Sequence, residues 1–348
     1  MSTLEIVWFI LVASSLAVYV VLDGFDLGAG ILHLRVAKHE SERRALLRSI
    51  GPVWDGNEVW LIAGSATLFL AFPTLFSVAF SGFYLPLMLV LWLLLFRALG
   101  IELRHQLDDP LWKEGWDVAF SVASTLLAFA FGVALGNVVR GVTFNEEGTF
   151  FAPLWTHLGL RDPVGVLDIY TILVGISAVV VLAYHGGLWI AARTDETLQA
   201  RAKTYVRRLA PAVVVLLVVL SVATWIVQPN LATNVSERPL GLVLPIGAVG
   251  AFAGSIVFFR KKAFRNAFRA SCVFVFGLVA SAAYAVFPMV LPGRSSGGLS
   301  IADAAGTDYA LTVALYWWIP GILLATSYFI ILYRSMPATF SVHDDSEH

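Results

Sequence analysis

The stretch YLPLMLVLWLLLFRALGIEL, residues 84–103, carries only two charges, Arg97 and Glu102, along its whole length. About 20 apolar residues are what a helix needs to cross a hydrocarbon core about 30 Å thick. In lipid an unpaired backbone N–H or C=O is so costly that helix is the only sensible conformation for such a stretch. It belongs to an apolar run over 75–103, and working outward the pattern recurs at 6–34, 50–72, 117–139, 164–192, 209–227, 240–259, 268–289 and 309–333. The sequence therefore predicts an all-α, polytopic membrane protein. About nine transmembrane helices would pack as helix bundles in a single integral membrane domain over residues 1–348.

Composition agrees. Soluble domains are about 25% charged, whereas this chain is 58% hydrophobic and 14% charged. The longest polar stretch, Arg140 to Pro163, is too short to bury a core of its own. Chemistry must lie in the spans, the short loops or a partner. A net charge of −1 gives a nucleic-acid role no support. The single cysteine, Cys272, sits in an apolar stretch and reads as packing; it excludes an intrachain disulfide, a C-x-x-C pair and a C-x-x-C-H haem attachment. Glu5 but no basic residue precedes the first run, and no small-x-small cleavage site follows it, so this run is expected to be a retained span.

Basic residues give the bundle a direction. The loops after spans 1, 3, 5 and 7 and the C-terminal tail hold 18 of the 23 Lys and Arg; those after spans 2, 4, 6 and 8 hold 4, namely Arg140, Arg161, Arg238 and Arg294. By the positive-inside rule the N-terminus is expected outside and the C-terminus in the cytoplasm. Trp155, Trp225 and the pair Trp317–Trp318 read as interfacial anchors or packing. Pro86, Pro245 and Pro320 are expected to bend their spans.

Ionisable side chains inside spans cost about 2.5–3.5 kcal/mol each even on the lenient insertion scale. Here they cluster: Asp23 and Asp26 in VLDGFDLGAG, Asp55 and Glu58 in PVWDGNEVW, and Arg97 and Glu102 in the opening stretch. All six are expected in the cytoplasmic half. Asp55 lies about 9 Å along a helix from Ser49, with Glu58 about 4–5 Å deeper, and the three-residue spacing puts both on one face. Five acids facing one arginine need a proton or a partner's cation as balance. Two readings are open. Arg97 clamps one or two acids while the others cap helix ends or, for Asp23 and Asp26 among their glycines, mark a helix break or close packing; or Asp55 and Glu102 conduct protons.

Among the histidines, His33, His105, His157, His343 and His348 fall at span ends, in loops or in the tail, and His39 in the first basic loop. Only His185, in AYHGG, is well inside a span. A hydrogen bond to a neighbouring helix explains it better than haem ligation, since no second ligand is placed opposite. Gly136–Asn137 likewise reads as packing and hydrogen bonding.

Several motifs together resemble subunit II of the cytochrome bd-type quinol oxidases, including the cyanide-insensitive branch. They are Asp23-Gly24-Phe25-Asp26 before a glycine-rich stretch, Trp54-Asp55-Gly56-Asn57-Glu58-Val59-Trp60, and Phe80-Ser81-Gly82-Phe83-Tyr84. Weaker support comes from Phe96-Arg97, Trp116-Asp117, Gly136-Asn137 with Gly141-Val142, and Phe287-Pro288 followed by Pro292. The likeness runs almost end to end.

The resemblance implies a multi-pass protein of a bacterial or archaeal inner membrane. Its partner would be a subunit I of homologous fold that carries haem b, haem d and the quinol site. The complex would oxidise quinol, reduce dioxygen to water with cytoplasmic protons and so build a proton gradient. This chain itself would hold no catalytic centre, no haem and no metal. Membrane lipids and small accessory subunits complete the partners the family admits. The family's proton-pathway acid falls on Asp55 and its acid at the end of span 3 on Glu102, where some relatives have aspartate. Glu58 stands where some relatives have glutamine. Arg97 matches a basic position expected to orient Glu102 or a partner group, and Trp54 and Trp60 are expected to pack around Asp55 beside Asn57. Intramembrane acids, an arginine and prolines in spans also suit a proton- or ion-coupled secondary transporter, and a structural scaffold is a third reading.

Overall fold

The computed structural model describes residues 1–160, 163–294 and 297–341, so Arg161, His343 and His348 lie outside the described residues. The elements in chain order are α1 (Thr3–Val36), α2 (Glu40–Ile50), α3 (Trp54–Ala71), α4 (Pro73–Gly82), α5 (Tyr84–Glu102), α6 (Pro110–Arg140), α7 (Ile169–Arg193), α8 (Glu196–Val227), α9 (Pro229–Glu237), α10 (Val243–Arg260) and α11 (Phe264–Val286). A two-stranded antiparallel ribbon of β1 (Met289–Pro292) and β2 (Gly298–Ser300) follows, then α12 (Ile301–Ala304) and α13 (Asp308–Ser335).

Among the described residues eight helices are long and apolar enough to cross a membrane, and α3 with α4 makes a ninth if that bent pair is one span. Eight or nine spans agree with the all-α membrane fold expected, and the helices differ from the expected runs in their bounds. The run expected at 75–103 is interrupted: α4 turns 120° away from α3, and α5 starts afresh at Tyr84. Pro73 explains the first break, because a proline disfavours helical geometry in the residue before it, and Phe72 has φ −131° and ψ 65°. The helix expected at 209–227 begins at Glu196 instead, so Arg201, Lys203, Arg207 and Arg208 are helical rather than in a loop. Leu198, Ala202 and Val206 are buried there, and burial of one stripe carries the helix past the apolar run. α6 likewise starts at Pro110, capped by Asp109, which accepts from the Trp112 N–H.

Of the expected bends, Pro86 and Pro245 fall in the first turns of α5 and α10, where no intrahelical N–H is needed, and only Pro320 lies inside its helix, joined by Pro211 in α8. Asp23 and Asp26 break nothing, since α1 runs on through both. Their glycines serve close packing. A Cβ on Gly28 would lie 2.0 Å from the Leu182 carbonyl oxygen, and one on Gly186 2.3 Å from the Gly28 carbonyl carbon, so α1 and α7 touch backbone to backbone.

α13 runs along the outside, with only Leu311 and Ala314 buried. Side-chain bonds hold it: Trp8 Nε1 donates to the Leu311 carbonyl at 3.2 Å, and Trp318 Nε1 to Thr67 Oγ1 at 3.2 Å. Trp318 is therefore a packing residue, whereas Trp155, Trp225 and Trp317 are exposed, as anchors would be.

Candidate functional site

Asp23 and Asp26 of α1, Glu58 of α3 and Arg97 of α5 meet inside the bundle, in the half toward the end of α1 that leads into α2. Arg97 is wholly buried and donates to Asp23 through two parallel bonds, Nη1 to Oδ2 at 3.1 Å and Nη2 to Oδ1 at 2.5 Å. Asp26 Oδ2 lies 3.9 Å from Nη2, and Glu58 Oε2 3.6 Å from Nη1. Tyr19 donates its hydroxyl to Asp23 at 2.9 Å. Asn57 donates to Asp26 at 2.8 Å and to the Leu22 carbonyl at 3.2 Å, and accepts from the Tyr333 hydroxyl at 2.8 Å, which ties α13 to α3 and α1.

Three carboxyl groups thus face one guanidinium where water is scarce. Charges at such depth need pairing and full hydrogen bonding, yet Asp26 Oδ1 and Arg97 Nε have no hydrogen-bond partner among the described residues. Three carboxyl groups outnumber the one cation that faces them, so the cluster has room for a balancing proton.

The remaining expected residues part company. Asp55 and Glu102 are both exposed, and neither forms an ion pair among the described residues. Of the partners expected for Arg97, one or two acids in a clamp, Glu102 or a partner group, it takes the acid Asp23 and does not reach Glu102, because the α5 face that buries Arg97 looks into α1 while Glu102 is exposed. Asp55, in the first turn of α3, does not join Glu58 on the arginine. Trp60 is buried with its ring 5.7 Å from that of Phe329 on α13, and Trp54 is half-buried against the core, so both pack the bundle beside the first turn of α3.

A second network was not legible in the sequence. Asp117 of α6 accepts from His33 Nε2 at 2.7 Å, Arg43 Nη1 at 2.9 Å and Arg104 Nε at 2.7 Å. Arg104 goes on to Glu40 at 2.7 Å, so the side chains of α1, α2, α6 and the turn after α5 are tied together. His33, expected at a span end, is wholly buried. The signal available was an aspartate opening the apolar run at 117. Beside it, burial would raise the Glu42 carboxyl, but hydrogen bonds from Arg201, the Lys38 and His39 N–H groups and Thr197 outweigh that and hold it down at about 2.

His185 is fully engaged: Nε2 donates to the Val21 carbonyl at 3.0 Å, Nδ1 lies 2.7 Å from Ser271 Oγ, and the ring stacks on Phe268. A ring held in this way is a poor fit for a haem ligand. Asn137 donates to the Val133 and Val166 carbonyls and accepts from Arg140, which also pairs with Asp168, so it fastens the loop before α7 to α6.

A family model described as cytochrome bd terminal oxidase subunit II matches residues 4–336. A protein of Haemophilus influenzae named probable cytochrome oxidase subunit 2 is 31% identical over 96% of this chain and 94% of its own length. The cytochrome bd ubiquinol oxidase subunit 2 of Bacillus subtilis is 31% identical over 90% of each chain. The cytochrome bd-I ubiquinol oxidase subunit 2 of Escherichia coli K12 is 29% identical over 95% of this chain and 92% of its own. In fold the chain is similar to a chain of the bd oxidase of Geobacillus thermodenitrificans, with a TM-score of 0.74 at 16% identity, over 96% of this chain and 98% of the other.

Proposed function

The chain belongs to the cytochrome bd terminal oxidase subunit II family, and from that premise we propose that it is the partner of a subunit I in a complex that oxidises quinol and reduces dioxygen to water. The names of its relatives, subunits of ubiquinol oxidases, support this reaction class and leave the transporter and scaffold readings without comparable support. Haem b and haem d belong to subunit I in this reading and supply the redox chemistry; the engaged ring of His185 is consistent with that division.

This chain's share is proton delivery from the cytoplasm. The observation that carries it is the exposure of Asp55 and Glu102 at the same end as the buried Arg97 cluster. A carboxylate facing lipid is costly, so the faces of α3 and α5 that bear these two acids are where subunit I and water belong. Asp55 and Glu102 take up protons there. Glu58, half-buried between that surface and Arg97, is the next group inward, and Asp23, Asp26 and Asn57 fix the guanidinium that sets its charge balance. The same end faces the cytoplasm, with the N-terminus outside, as the split of basic residues supports.

Co-expression with its subunit I tests the assignment. The chain is expected to purify in a haem-containing quinol oxidase, and Asp55→Asn to leave assembly and haem spectra intact while slowing oxygen uptake. Loss of assembly in that variant would make Asp55 structural and remove it from the route.

A further inference from the structure

Two cations at the basic end of α1 have no carboxylate among the described residues. Arg35 donates Nη1 to the Ile31 carbonyl at 2.9 Å, and Lys38 donates Nζ to the Leu34 carbonyl at 3.0 Å; neither forms an ion pair. The acids around them are already taken, Asp117 by His33, Arg43 and Arg104, Glu40 by Arg104 and Arg44, and Glu42 by Arg201. Arg35 lines one groove. Leu34, Arg35, Ser121, Val122, Thr125 and Leu126 line a cavity of about 470 Å³ between α1 and α6. Lys38 Nζ, outside the lining itself, is held on the carbonyl of Leu34, one of its walls. Its other walls are Leu34, Val122 and Leu126 with the hydroxyl residues Ser121 and Thr125, and Val122 and Leu126 are exposed.

We propose that this groove binds one anionic phospholipid, its phosphate on Arg35 and Lys38 and an acyl chain along Leu34, Val122 and Leu126. Charge complementarity selects the occupant. A soluble anion would leave the apolar walls uncovered, and a zwitterionic lipid would bring its own cation against two others. The Ser121 hydroxyl and the guanidinium N–H groups not spent on Ile31 supply donors to phosphate oxygens.

The test uses the complex with its subunit I, purified into nanodiscs of phosphatidylcholine alone or with phosphatidylglycerol, and native mass spectrometry of retained lipid. Wild type is expected to keep phosphatidylglycerol in preference to phosphatidylcholine. Arg35→Gln and Lys38→Gln are each expected to weaken retention about fivefold, and Val122→Trp, which keeps both cations, to weaken it by filling the groove. Equal retention of the two lipids by wild type, which needs no variant to fold, would overturn the site. So would undiminished retention in Val122→Trp, which would leave only a basic surface, or displacement of the lipid by inorganic phosphate, which would make the ligand a free anion.

Discussion

Arg97 and Asp23 form a two-bond pair inside the bundle, each wholly buried and each supplied by a different helix. Cutting such a pair on one side leaves an uncompensated buried charge and costs about 3–5 kcal/mol. Asp23→Ala is therefore expected to lower the thermal midpoint of the purified complex sharply. The double variant Asp23→Leu with Arg97→Met is expected to lose less than the two single changes summed. Strict additivity in that cycle would show that the pair is not the stabilising unit.

Glu102 and Glu58 separate by position. Glu102→Gln is expected to slow oxygen uptake with haem spectra unchanged, since an exposed acid can be lost without disturbing the fold. Glu58→Gln removes one neighbour of Arg97 and is expected to disturb thermal stability as well as rate. Oxygen electrode traces beside melting curves distinguish the two.

The contact of Gly28 with Gly186 leaves no room for a side chain. Gly186→Val is expected to push α1 from α7 and abolish accumulation of folded protein in membranes, because the clash is with backbone and no rotamer relieves it. Gly247→Ala, where nothing lies within 4 Å of the new Cβ, should be tolerated in the same expression assay.

Glu42 anchors α2 to the start of α8 and is held at about 2. A folded-state value below the ordinary carboxyl value of about 4.3 means that its stabilisation is complete above that pH. It is lost as pH falls toward 2. The protection of α2 amides relative to their intrinsic exchange rate should therefore fall between about pH 4.5 and pH 2. Glu42→Gln should show quickened exchange already at neutral pH, by about 2 kcal/mol for the lost charged hydrogen bonds.

The Tyr333 hydroxyl on Asn57 fastens α13 at the basic end. Tyr333→Phe is expected to cost about 1 kcal/mol and to raise protease access around Ser335. Unchanged cleavage would mean that the partner subunit, not this bond, holds the helix.

The apolar runs, the glycines of α1 and the clustering of acids with one arginine were all legible, because each is a local excess or a local cost. Where the chain bends was less so: Pro73 stood in plain view, but whether 75–103 continues past Gly82 depends on Phe150 packing on that glycine and on the Ala152 N–H reaching its carbonyl. The Asp117 network escaped for a similar reason. His33, Glu40 and Arg43 lie near one another in the chain but 64 to 84 residues from the Arg104 and Asp117 they meet, and each looks solvated until α2 folds beneath the bundle.

By itself, then, the sequence determined that this is a helical membrane protein of this family with an acid-rich end, since transfer of about 20 apolar residues into lipid is decided residue by residue along the chain. Tertiary structure alone decided the pairing: that Arg97 takes Asp23 and not Glu102, and that Asp55 looks outward while Glu58 looks in. A charge chooses its partner by distance and direction across helices, and neither quantity exists until the helices have packed.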